Sequence, residues 1–266
     1  MPVGLHFDAL RLWSGSITAR YRIANEPAFP RYAACAHPGG RNLAVVETPM
    51  RTNPFYDAWL FLIGSTSDHR NSGIGWLLTA LFLALLVASI WIARTNWTQD
   101  PAQRSKERLA TWFMRVMIGA MWFQGSLWKL PLPVSGGFAG WTKALGENAA
   151  FGFHRWIATN IFVPLLPVIN PLVFLTELSL AIAFILGFLV RPMGVIGMLF
   201  VAHLWLGLYL NTAEWPWLYI FLIFVQGFFV LNNAGKSLGL DALFARAPIG
   251  PLAGEGLVAQ AYRRLA

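Results

Sequence analysis

The chain has 266 residues, of which 56% are hydrophobic and only 12% charged, and its mean hydropathy is +0.53. Soluble domains carry about 25% charged residues, so this composition excludes an ordinary water-soluble fold and reads as an integral membrane protein. The formal charge of +8 comes from basic residues that lie mainly outside the apolar runs. It therefore reads as topogenic and headgroup-facing charge rather than as a nucleic-acid surface.

Residues 1–72 are polar, contain arginines and are rich in turn formers, as in "ANEPAFPRYAACAHPGGRN". No short apolar run with a small-residue cleavage site marks a signal peptide there. The segment is expected to be periplasmic or interfacial. Its one apolar stretch, "NPFYDAWLFLIGS" at 53–65, is too short to cross a bilayer. Cys35 is the single cysteine. An intrachain disulfide, a Cys-ligated iron–sulfur cluster and Cys-attached haem are thereby disfavoured.

The first expected span is "GIGWLLTALFLALLVASIWIA", residues 73–93, without a charge. Its length covers roughly 30 Å at about 1.5 Å per residue. A polar linker, 94–109, follows. The second span is expected over 109–130, with Arg115 and Lys129 near its ends, and "PLPVSGG" stops it. Residues 138–160 read as an interfacial or partly helical connection. Pro164, Pro167 and Pro171 are expected to delay the third span to 172–190. Arg191-Pro192 reads as the turn into the fourth, 193–210. The fifth is expected over 216–233, before a basic cytoplasmic tail, 245–266.

Lys and Arg cluster in the 94–109 linker, at Arg191 and in the tail, whereas the short turn 211–216 carries Glu214 and no cation. The positive-inside rule then predicts a multi-pass protein of the bacterial inner membrane, with its N-terminus periplasmic and its C-terminus cytoplasmic.

A few polar side chains interrupt these spans. Glu177 lies 14 residues before Arg191 and His203 lies 12 after it, which puts both roughly 20 Å from the turn at about 1.5 Å per residue. Gln124, 15 residues beyond Leu109, shares that depth, and Gln226 lies about a turn nearer the cytoplasm. One reading makes Glu177 and His203 a ligand or proton site, because a carboxylate in lipid takes up protons readily and imidazole titrates near neutrality. The other makes these groups interhelical hydrogen-bonding partners. Arg115 and Lys129 read as snorkelling cations or as partners for Glu177 or an anionic ligand. Metal-ligand spacing, phosphate loops and a nucleophile elbow are absent from the sequence.

"RVMIGAMWFQGSLWKL" (115–130), "TELSLAIAFILGFLVRPMG" (176–194) and "NNAGKSLGLDALF" (232–244) resemble the DoxX/DoxD family of small membrane proteins. That family includes the membrane subunit of thiosulfate:quinone oxidoreductase. The resemblance covers residues 109–244 and implies a four-helix transmembrane bundle. The expected fold is thus an all-α integral membrane protein, with that bundle plus one extra N-terminal transmembrane helix at 73–93. Two functions are expected. One is an accessory subunit of a respiratory or photosynthetic electron-transfer complex that lines a quinone site. The other is a quinone-reducing subunit of a thiosulfate:quinone oxidoreductase. Glu177 and His203 are then the candidate catalytic groups, and Arg115, Gln124, Lys129 and Gln226 the candidate quinone-binding groups. The expected partners are membrane lipids and other subunits. No haem, iron–sulfur cluster or metal is expected within the chain.

Overall fold

A computed structural model describes residues 53, 55–56, 73–130, 134, 136–212, 214–248, 250–252 and 254–266. The expectations for 1–72 lie outside these, except that Asn53 Oδ1 accepts from the Phe55 and Tyr56 amides at 3.0 and 3.1 Å. Among the described residues all regular structure is helical. The principal helices are α1 (Gly73–Gln99), α2 (Lys106–Leu127), α3 (Gly136–Glu147), α4 (Gly152–Ile157), α5 (Leu166–Leu186), α6 (Val190–Gly207), α7 (Pro216–Leu231), α8 (Leu240–Arg246) and α9 (Leu257–Leu265). Three of them, α1, α5 and α6, are long and apolar enough to cross a membrane, and α7 is a shorter apolar helix.

Some helix ends have a local cause. Ser105 accepts the Arg108 amide at 3.2 Å and caps α2, and Asp100 accepts the Ala102 amide ahead of it. Much of the expected 94–109 linker is therefore helical, because α1 continues unbroken to Gln99. The prolines do not delay the third span. Pro167 sits in the first turn of α5, where a missing N–H leaves no gap, and Pro171 is carried inside the helix.

The expected turn at Arg191-Pro192 is also displaced. The chain reverses at Gly187 (φ 72°) and Leu189 (φ 50°), both left-handed, and Arg191 and Pro192 lie in the first turn of α6. The connection expected at 138–160 forms α3, α4 and a widened turn over Ala158–Phe162, closed by Val163 N–H to Ala158 O at 3.0 Å.

The core lies where α2 meets α5 and α6 meets α7, with Phe123, Leu180, Phe184, Val201 and Phe229 almost fully buried. Outward faces are apolar but exposed, as at Trp91, Leu199 and Phe221. Lipid, rather than water, suits such a surface. Helix α1 is fixed to this core. Phe82 packs on Phe123 with ring centroids 5.0 Å apart. Ser89 Oγ donates to Ile185 O at 2.7 Å and accepts from Trp112 Nε1 at 3.2 Å. Ser89→Ala is expected to cost about 0.6 kcal/mol and no more than about 1.7, the range for interhelical hydrogen bonds in membranes. Reversible unfolding in mixed micelles would measure it.

Candidate functional site

The end of α2 and parts of α5 and α6, with α3 packed beside them, line a half-open cavity of about 400 Å³. Its walls are largely apolar and aromatic, including Trp128, Trp141, Phe162 and Phe200. Polar groups converge at three places: Lys129 with Glu177, His203, and Glu214 with Tyr219. A mostly apolar pocket with a few converging polar groups is the usual form of a small-molecule site.

Lys129 reaches the cavity because α2 ends just before it, after which its amide bonds Ser126 O at 3.0 Å. Asn170, on α5, holds the Lys129 carbonyl through a 2.6 Å hydrogen bond. The ammonium then donates to Glu177 Oε1 and lies 4.8 Å from the centre of the Trp128 ring. Glu177 is 1% exposed, and its second oxygen, Oε2, is buried without a hydrogen-bond partner among the described residues. The ion pair thus leaves one acceptor position open on a carboxylate that lines the cavity.

His203 meets a residue that sequence reasoning did not select. His154, on α4, stacks on it with centroids 4.7 Å apart and planes 12° from parallel, and Phe162 contacts the His203 ring edge-on at 5.4 Å. Gly207 leaves room for this stack, since a Cβ there would lie 3.1 Å from His154 Nε2 and 2.3 Å from Leu145. Parallel rings direct their nitrogens in-plane, so the pair cannot grip a metal between its faces. Among the described residues no three His, Cys, Asp or Glu side chains converge on a metal-sized site.

Burial holds His154 below the usual imidazole range. The unfolded chain therefore binds more protons than the folded one as pH falls through about 6.5. The stability linked to His154 is present above that pH and lost below it. A thermal-midpoint profile should fall more steeply on acidification for the native protein than for His154→Phe.

Three of the six selected residues line this cavity: Glu177, His203 and Lys129. The other three lie elsewhere. Gln124 is buried in α2 and is not among the residues that line the cavity. Gln226 Nε2 bonds Leu222 O within its own helix, and Gln226 Oε1 fills the space beside Gly197, where a Cβ would lie 1.8 Å away. Arg115, fully buried, donates to Phe184 O and, at 3.4 Å each, to Ile185 O and Ser237 O. It closes the opposite end of the fold.

At that end the segment after α7 folds back under the α5–α6 turn. The Asp241 amide donates to Gly187 O at 2.9 Å. The Asp241 carboxylate accepts from Leu189 N–H at 3.0 Å, Val190 N–H at 3.4 Å and Tyr262 O–H at 2.8 Å, capping α6. Burial pushes this carboxyl above its usual range, against the pull of those donors and of Arg115. Asn96 binds Gly239 O at 2.9 Å and Gln103 binds Leu238 N–H at 2.9 Å, which tie α1 and the short turn before α2 to the same segment.

Comparison with family models, curated proteins and solved structures gave no match.

Proposed function

We propose that this chain is a DoxX-like membrane subunit whose cavity holds the ring of a quinone, and that it serves as an accessory subunit of an electron-transfer complex. The single observation that carries this reading is the Lys129–Glu177 pair on the wall of an aromatic-lined cavity of about 400 Å³. That volume falls within the roughly 300–1,000 Å³ of small-molecule pockets. Trp128, Trp141 and Phe162 offer faces and edges for a flat ring. Lys129 and His203 offer donors to ring carbonyls, and Glu177 positions the ammonium. A bound quinone would supply acceptor chemistry for two electrons and two protons.

In this reading α2, α5, α6 and α7 form a transmembrane bundle, and α1 is the additional helix. Pinned through Ser89 and Asn96, α1 presents an outward row of Trp76, Leu77, Val87 and Trp91 in a fixed position. Such a row suits another subunit's helix as well as lipid.

The open Glu177 Oε2 favours a second role, direct participation in quinone reduction. A carboxyl with one unengaged oxygen can hold a proton at that atom, and Lys129 can replace it. Electrons would come from a partner that oxidises thiosulfate.

The test is retention of a short-chain naphthoquinone by the protein in nanodiscs, followed by quenching of tryptophan emission. Glu177→Gln and His203→Ala should weaken retention about tenfold, the scale of one or two lost hydrogen bonds, with the fold intact. Equal retention by these variants and by Thr142→Trp, which fills the cavity, would reject the site. Loss of quinone reduction by the assembled complex in Glu177→Gln, with retention unchanged, would favour the second role.

A further inference from the structure

The C-terminal helix α9 carries three distinct faces. At about 100° per residue, Leu257, Val258, Ala261 and Leu265 fall on one arc, and Gln260, Arg263 and Arg264 on another. The third face, Ala259, Tyr262 and Ala266, packs inward. The first arc is apolar yet turned outward: Leu257 is 85% exposed and Val258 61%.

Its position explains why. Tyr262 stacks on Phe188 with centroids 5.8 Å apart and planes 20° from parallel, and meets Phe244 edge-on at 6.3 Å. Its hydroxyl bonds Asp241 at 2.8 Å. Phe188 belongs to the turn between α5 and α6, two helices long and apolar enough to cross a membrane. Helix α9 is therefore anchored where both of them reach the edge of the hydrocarbon layer. The same end carries Lys236, Arg246 and, in the first turn of α6, Arg191. From 245 onward the chain has Arg246, Arg263 and Arg264 against one acid, Glu255.

We propose that α9 is a binding element for anionic phospholipid. Its apolar arc lies in the headgroup–acyl boundary, and Arg263 and Arg264 bind lipid phosphates. An outward apolar stripe bordered by arginines is the pattern of interfacial helices, and the cationic end complements an anionic leaflet. Through Tyr262 and Asp241, a lipid held there braces the cap of α6. The proposal requires α5 and α6 to cross the bilayer and is independent of the quinone reading.

The test uses the full chain with Cys35→Ser and Leu257→Cys, labelled with an environment-sensitive fluorophore, in nanodiscs of phosphatidylcholine with or without phosphatidylglycerol. The label should emit at short wavelength and be quenched by lipids brominated on the acyl chain. Native mass spectrometry should show retained phosphatidylglycerol, falling roughly fivefold for each arginine removed in Arg263→Gln and Arg264→Gln, the scale of one basic residue at an anionic leaflet. The paired Arg-to-Lys replacements should keep it. Water-like emission untouched by brominated lipid would overturn the proposal, as would equal phosphatidylglycerol retention after both arginines are lost. Shielding that appears only with a co-purifying protein would give the face to that protein and overturn it too.

Discussion

Lys129→Ala is expected to cost about 3–5 kcal/mol of fold stability, the penalty for stripping a buried charge of its partner. The reason is local. Glu177 is 1% exposed, its Oε2 has no partner among the described residues, and Lys129 supplies the ion pair to Oε1. Removing the ammonium leaves the carboxylate to be protonated or to drag water inward. The Lys129→Met, Glu177→Leu double variant should recover most of the loss, because apolar replacement of a whole buried pair is often neutral or stabilising. It should still lose quinone retention, which separates the structural role of the pair from its binding role. Unfolding in mixed micelles measures the first and tryptophan quenching the second. A loss below about 1 kcal/mol in the single variant, the size of an exposed ion pair, would mean that water already reaches this carboxylate.

Gly187→Ala should disrupt the opposite end of the fold about as severely. The backbone there is left-handed, φ 72°, which costs an alanine roughly 1 kcal/mol. A Cβ would also lie 2.6 Å from Arg115 Nη1 and 2.7 Å from Gly239 Cα. Neither neighbour can retreat freely. Arg115 is fully buried and bonded to the Phe184 carbonyl, and the Gly239 carbonyl is held by Asn96 at 2.9 Å. Overpacking of about 1–3 kcal/mol adds to the strain, for a total near 3 kcal/mol. The expected readout is a lower unfolding midpoint with a frayed α6 start, seen as faster amide exchange at Leu189 and Val190. Exchange unchanged at those two amides would show that the turn does not depend on this close approach.

Much of this arrangement could be read along the chain. Unbroken apolar length marked α1, α5 and α6. The level of Glu177 and His203 was counted from a turn placed at Arg191-Pro192; with the turn at 187–189 His203 lies about a helical turn deeper, yet both still line one cavity. Lys129, like Arg115, read as a snorkelling cation or as a partner for Glu177 or an anionic ligand, and only the structure pairs it with Glu177. Rotation and long-range return were not readable. Arg115 has the same sequence signature as a snorkelling cation, and only the segment 234–241, folding back more than a hundred residues later, shows that it closes a backbone junction. His154 sits in a helix of one and a half turns after a glycine-rich stretch, too short for any periodicity. The aromatic "FGFHRW" was the available hint. Pro167 and Pro171 read as barriers because proline is permissible only at a helix start, and nothing local showed that α5 begins as early as Leu166.

Helix α7 has 16 residues, so it rises only about 24 Å against a hydrocarbon layer of about 30 Å. Trp215 and Trp217 mark one of its ends, and neither ring can sink far into the acyl region without leaving its preferred level. If α7 crosses the bilayer, as in the proposed bundle, the lipid around it has to thin to its length, while α1, with 27 residues, has length to spare and leans. In that arrangement only the α7 flank would ask the bilayer to thin, since α1 takes up its excess length by tilt. Shorter-chained lipids would then gather beside α7.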